Sequence, residues 1–157
     1  MDNPKVQVKK TKKYGLGTFA REPIRKGGVI ASFDGKIYRT DPKYWNGELE
    51  NHAIQFQKNR WRDSQGIARL INHSCEPNCG LKNTFDIVAM RNIKRGEEIT
   101  WDYDMTENTR NWRMKCRCGK PNCRKLIGAY RTLPDSVREK YKGYISEWLL
   151  KKNPSRR

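Results

Sequence analysis

Apolar and polar positions alternate over short stretches through most of the chain. VQVKKT (6–11) reads as an edge strand, and YGLGTFA (14–20) as a second short strand opened by two glycines. REPIRKGGVIASFDGKIY (21–38) continues in this way, with turn chemistry at Pro23, at Lys26-Gly27-Gly28 and at Asp34-Gly35 between apolar pieces. Tyr44 and Trp45 fall in a turn-rich segment. HAIQFQKNRWRD (52–63) reads as two strands meeting near Lys58-Asn59. DIVAMRNIKRGEEITWDYDM (86–105) holds two more, separated by a turn at Lys94-Arg95-Gly96. Only the end has helical periodicity: after Pro134-Asp135, the residues Val137, Tyr141, Tyr144, Ile145, Trp148 and Leu149 recur on one face. That face is expected against the domain's own core, with a dimer partner or a substrate-groove wall as the alternatives. The pattern predicts a mostly-β domain with a C-terminal α-helix, and no domain boundary before about residue 130.

At 157 residues the chain has room for one sizeable core. Its mean hydropathy of −1.03 is low, yet five Trp, seven Tyr and four Phe supply large pieces for that core. No apolar run approaches the roughly 20 residues of a membrane helix, and the opening MDNPKVQVKKTKK lacks the apolar centre of a signal peptide. A cytosolic or nuclear site is expected, with no membrane partner.

The net charge of +17 is unevenly spread. Residues 1–13, a basic arm running into the first strand, carry five bases and one acid; residues 14–109 carry 14 bases and 13 acids; residues 110–157 carry 15 bases and three acids. Basic ends of this kind point to a polyanionic partner, nucleic acid or nucleoprotein first, against the plainer reading of a solubilising surface. One stretch has the opposite sign. Between Glu97 and Glu107 stand Glu97, Glu98, Asp102, Asp104 and Glu107 with no base among them.

Five cysteines in a reducing compartment favour metal ligation over a disulfide framework. CRCGKPNC places Cys116, Cys118 and Cys123 within eight residues, and soft thiolates at that spacing suit zinc, which takes four ligands in a tetrahedron. The run supplies three. The fourth is open among Cys75, Cys79, His52 and His73, and a self-contained zinc ribbon would need a second cysteine pair that the chain lacks.

Four features now occur in order: YGLGTFA, RLINHSCEPN (69–78), EEITWDY (97–103), and CxCxxxxC followed by RKLIG (124–128). Together they resemble the SET-domain protein lysine methyltransferases, including the appended post-SET zinc motif. The resemblance covers roughly residues 6 to 128. It divides the chain into a SET domain over 6–110, a post-SET zinc segment over 111–128, and a basic C-terminal helix and tail over 129–157. It implies a β-clip-like fold of small sheets in which the NHSC and EEITWDY segments pass one another in a pseudoknot, with S-adenosylmethionine on one face and a lysine channel entering from the other.

Carried over residue by residue, the resemblance implies one structural zinc on Cys75, Cys116, Cys118 and Cys123, leaving Cys79 as the odd thiol. It implies cofactor binding by Gly15, Leu16, Gly17, Arg69, Asn72, His73, Tyr103, Leu126 and Ile127, with Leu126 and Ile127 over the adenine. Glycines at 15 and 17 suit a close backbone approach. Tyr103 is the implied catalytic residue. A free lysine has a pKa of about 10.4, so roughly one in 2,500 is neutral at pH 7, and the site must desolvate and orient the amine. The tyrosine hydroxyl is expected to orient it and to stabilise the polarised methyl group.

Two positions depart from the family pattern. Trp101, two before the tyrosine, stands where Phe or Tyr is usual at the position governing how many methyl groups fit, and its bulk favours fewer. His52 and Ala53 stand where an aromatic is frequent, so the lysine channel is expected to draw on the C-terminal helix and Trp148 instead. The acidic run from Glu97 to Glu107 is expected to form a rim that attracts a lysine-rich peptide. The expected substrate is a histone tail or nucleosome, with a non-histone lysine-rich protein as the alternative enzyme substrate and a catalytically silent chromatin-binding module as the alternative class. A nuclear location follows if the source is eukaryotic, otherwise the cytoplasm or delivery to a host nucleus. KKTKK and KKNPSRR are weak import signals.

Overall fold

The computed structural model describes residues 2–39, 52–110 and 112–152. The expectation for Tyr44 and Trp45, and that for the end of KKNPSRR, lie outside these residues.

The first two strands form as their alternation dictates. β1 (Val6–Lys10) runs antiparallel to β2 (Leu16–Ala20), with Val6 opposite Ala20 and Lys10 opposite Leu16. β2 is covered on its other edge by β10 (Glu98–Trp101), which alternates cleanly, burying Ile99 and Trp101 and leaving Glu98 and Thr100 half-buried. The sheet continues through β8 (Cys79–Lys82), β9 (Asp86–Ala89) and β3 (Val29–Ser32), all antiparallel beyond the β10–β8 pairing. β7 (Asn72–His73) lies parallel to β10, with Thr100 opposite Asn72 and Trp101 opposite His73.

Here the two central motifs pass one another. The crossing needs polar side chains, because a buried backbone that leaves one strand for another must find new hydrogen-bond partners. Asn78 supplies them: its Nδ2 donates to the Glu98 carbonyl at 2.8 Å and its Oδ1 accepts from the Thr100 N–H at 3.0 Å. Ser74 N–H donates to the Trp101 carbonyl at 3.1 Å.

A smaller sheet has the order β4 (Ile37–Tyr38), β6 (Arg60–Arg62), β5 (Ile54–Gln57). Its turn falls at Lys58-Asn59 as the sequence predicts, with Asn59 at φ 56°. A ribbon of β11 (Met114–Lys115) and β12 (Leu126–Ile127) frames the cysteine-rich segment.

The C-terminal segment is helical but interrupted. α1 (Asp135–Lys140) and α2 (Glu147–Lys152) are separated by a turn at Gly143, whose φ of +81° a continuous helix cannot contain. The apolar face survives the break: Tyr141, Ile145 and Leu149 all enter the main core with Ile30, Ile87 and Ile99. Gly80 makes room for this docking, since a Cβ there would meet Tyr144 Cβ at 2.6 Å, and Leu81 N–H donates to the Tyr144 carbonyl at 2.9 Å. The domain's own core is therefore what covers this face.

Candidate functional site

A cavity of about 730 Å3 opens between β2, β5, β7, β10 and β11, a volume typical of small-molecule sites. Of the residues singled out from the sequence, Leu16, Arg69, Asn72, His73, Trp101 and Tyr103 line it. Gly15, Gly17, Leu126 and Ile127 do not. Leu126 is exposed on the β12 ribbon, and Ile127 is buried against Cys75 and Cys116.

Tyr103 opens a short 3-10 turn (Tyr103–Met105) directly after β10. Its hydroxyl donates to the Ile71 carbonyl at 3.2 Å, and its ring is fixed between His73, 5.2 Å away, and Trp101, 5.1 Å away. Burial pushes the Tyr103 hydroxyl well above the usual tyrosine range, so it keeps its proton at working pH. Trp101 is 4% exposed and also meets Phe33 edge-on at 6.0 Å, so its indole is a fixed wall of the cavity.

His73 ties this wall to the cysteines. Its Nδ1 accepts from the Tyr103 N–H at 3.3 Å, and its Nε2 lies 3.4 Å from Cys75 Sγ. Burial lowers the His73 pKa to about 4, with the Asp102 charge opposing and the Arg124 charge adding to the shift. The imidazole is therefore neutral at pH 7, and an accepting Nδ1 puts its proton on Nε2, facing sulfur.

Asn72 Nδ2 donates to the Leu16 carbonyl at 3.0 Å and to Glu98 Oε1 at 3.1 Å, stitching β7 to β2 and β10. This explains Gly17 without any ligand: a Cβ there would fall 2.6 Å from Thr11 Cγ2, 2.8 Å from Asn72 Nδ2 and 2.9 Å from Glu98 Oε1. Gly17→Ala is expected to lower stability by about 1–3 kcal/mol through this crowding. Thermal unfolding of the variant beside the parent checks it, and an unchanged midpoint would show that Asn72 can step aside.

The Sγ atoms of Cys75, Cys116, Cys118 and Cys123 lie within 4.8 Å of one another. Cys75 resolves the choice left open for the fourth thiolate. Cys79 points elsewhere, fully buried in β8 opposite Ala89 and beside Trp101. Among the described residues His52 is outside this group, its Nδ1 lying 3.3 Å from the Arg69 carbonyl. Four thiols so grouped fit a tetrahedral zinc.

The expected acidic rim does not form. Glu97 pairs with Arg91 at 2.7 Å, Glu98 accepts from Asn72, and Asp102 and Asp104 are fully buried on Arg124. Only Glu107 of the five lines the cavity, where burial raises its pKa. Trp148 is likewise not in the wall: its Nε1 donates to the carbonyls of Gln55 and Thr106, each at 3.1 Å, holding the backbone behind it. His52, Ala53 and Ile54 do line the cavity, together with Trp112 from the cysteine-rich segment. Trp112 carried no periodic or motif signal in the sequence, whereas Glu107 stood out there only as the last member of the acidic run.

The family model described as the SET domain matches residues 15–104. The chain is 33% identical over 138 residues to the histone-lysine N-methyltransferase trr of Drosophila melanogaster, covering 78% of this chain and 6% of that protein. It is 32% identical over 158 residues to the histone-lysine N-methyltransferase, H3 lysine-36 specific, of Schizosaccharomyces pombe, covering 86% and 20%. A crystal structure of KRYPTONITE in complex with mCHG DNA and SAH matches at a TM-score of 0.60 and 26% identity, over 77% of this chain and 28% of that one. The chain thus spans less than a third of each of these proteins.

Proposed function

Because this chain belongs to the SET-domain family, we propose that it is a protein-lysine N-methyltransferase using S-adenosylmethionine, with a histone tail or nucleosome as substrate. The observation that carries the reading is the meeting of Tyr103, Trp101, Asn72 and His73 in one cavity, with four cysteines grouped beside it. The cavity has the size and the mixed aromatic and polar lining that the cofactor needs. S-adenosylmethionine supplies an electrophilic methyl group on a sulfonium. Leu16, Arg69, Asn72 and His73 would hold it, with Gly15, Gly17, Leu126 and Ile127 supporting the surrounding backbone. Zinc on the four cysteines would be structural, with Cys75 of the SET domain and Cys116, Cys118 and Cys123 tying the 112–128 segment, and with it Trp112, Met114 and Lys115, to that domain.

Tyr103 acts as a fixed hydrogen-bonding group. Its protonated hydroxyl, already directed at the Ile71 carbonyl, orients an incoming lysine amine and polarises the methyl group as it transfers. Because that hydroxyl does not ionise at working pH, the lysine proton leaves to water, and the desolvating walls of Trp101 and Phe33 favour the neutral amine. The rigid indole of Trp101 supports transfer of one or two methyl groups more than three.

The basic ends support a nucleic-acid contact next to the protein substrate. Lys13 Nζ lies directly over Gly119 of the cysteine-rich segment, and Lys115 and Arg117 line the cavity with Tyr14, so bases of the N-terminal arm and of the cysteine-rich segment meet on one face. A nuclear location accords with this reading. No described helix is long and apolar enough to cross a membrane.

Incubation with S-adenosylmethionine and core histones, nucleosomes or a cell lysate, read by mass spectrometry, tests the proposal. A histone lysine gaining one or two methyl masses is the expected result. Modification of a non-histone protein alone removes the chromatin assignment, and no modified lysine from a folded, zinc-loaded chain overturns the enzyme.

A further inference from the structure

A buried ionic cluster lies behind Tyr103, out of reach of the cavity. Asp102 and Asp104, its two neighbours in sequence, are both fully buried, and neither lines the cavity. Arg124 reaches both from the residue after the last cysteine. Its Nη2 donates to Asp102 Oδ1 at 2.8 Å and to Asp104 Oδ2 at 3.1 Å, while its Nη1 lies 2.8 Å from Asp102 Oδ2. The remaining carboxylate positions are also occupied. Tyr141 donates to Asp102 Oδ2 at 2.8 Å, and the Ala129 N–H donates to Asp104 Oδ1 at 2.8 Å. Arg124 closes the circuit through its own backbone, whose N–H donates to Cys75 Sγ at 3.4 Å.

Two buried carboxylates with a single residue between them repel, and a planar guanidinium is the group whose geometry can bridge them. The cation here comes from the segment that the cysteines fold. We infer that Arg124 is a positioning residue for methyl transfer: it clamps the chain on both sides of Tyr103, so that the tyrosine is set in place only when the cysteine segment is folded around its metal. The inference rests on the methyltransferase reading for its catalytic consequence, though not for the clamp itself. Arg124 touches neither the cavity nor the reacting atoms, so its effect runs through Tyr103. It also gives Asp102, a residue of the EEITWDY motif, a purpose distinct from substrate attraction.

The test uses the full chain loaded with zinc and compares the parent with Arg124→Met, Arg124→Lys and Tyr103→Phe. All four cysteines are intact in Arg124→Met, so zinc content should stay equal to the parent's, and S-adenosylmethionine affinity should move by no more than about threefold. Its kcat should fall by about tenfold or more with KM for the protein substrate little changed, as expected when a reacting group is misplaced and substrate binding is left intact. Amide exchange over residues 101–106 should quicken while zinc is still bound, and chelation should produce the same local change in the parent. Arg124→Lys keeps the charge without the bidentate fork and should recover part of the loss. If Arg124→Met does not fold, Asp104→Asn in the same chain removes one of the two stranded carboxylates, and the measurements are made on that pair beside Asp104→Asn alone.

The clamp is overturned if the folded Arg124→Met chain keeps both kcat and exchange over 101–106 within a factor of about two of the parent. Exchange that quickens evenly through the core strands, with kcat and KM degraded together, also overturns it, since that marks a general loss of stability. If the parent transfers no methyl group but exchange over 101–106 responds to Arg124 and to zinc as described, the enzyme reading fails and the clamp stands.

Discussion

Tyr103→Phe is expected to lower kcat by about 100- to 1,000-fold while leaving S-adenosylmethionine affinity and zinc content near those of the parent. The ring would stay where it is, because the His73 and Trp101 rings pack against it with centroids 5.2 and 5.1 Å away and its backbone N–H remains on His73 Nδ1. What disappears is one hydroxyl. The Ile71 carbonyl then loses a partner, which costs about 1 kcal/mol of stability and is small beside the catalytic loss. The pH profile separates two roles for the tyrosine. A general base would need an ionised phenol, whereas burial moves the Tyr103 pKa upward, away from neutrality. The parent rate should therefore rise with pH as the lysine amine loses its proton, with no added limb from Tyr103. Single-turnover rates across pH, measured for parent and variant, decide the matter; a variant as fast as the parent would remove Tyr103 from the chemistry.

Much of this site was legible because its parts are local. The glycine pair, the NHSC and EEITWDY segments and the terminal cysteines are short runs, and the strands around them alternate with period two. The parts that escaped are those fixed by distant partners. β7 and β8 fall in NHSCEPNCGLK, whose polar run has no alternation; these residues become strands because β10 lies alongside and Asn78 completes the crossing. The acidic run between Glu97 and Glu107 shows the same limit from the other side. Sequence gives the sign of those charges but not their partners, and Arg91, Asn72 and Arg124 take up four of the five. The C-terminal helix was correct in its buried face and wrong in its continuity, since a single glycine at positive φ divides it.

Removing zinc with a strong chelator is expected to abolish methyl transfer without unfolding the chain. The apolar core is built in two parts. The larger contains Ile30, Ile71, Ile87, Ile99 and Leu149, and a separate small cluster gathers Cys75, Cys116 and Ile127, with Tyr103 and Trp112 packed beside it. Structural zinc binding contributes about 10–16 kcal/mol in small zinc modules, so its loss should free the 112–128 segment and its cavity wall while the larger core persists. The pH dependence has a definite sign. In the metal-free protein burial pushes the Cys75 thiol up to about 11 and moves Cys116 upward as well, so both carry protons at pH 7. Zinc must displace those protons; binding releases them to solvent, and occupancy falls as pH drops. Calorimetry in buffers of different ionisation enthalpy counts the released protons, and circular dichroism follows the core. Cys116→Ser should reproduce the chelated state at any pH, whereas Cys79→Ala, which removes the thiol outside the cluster, should retain one zinc per chain. A Cys79→Ala protein that lost its metal would overturn the assignment of Cys75 as the fourth ligand.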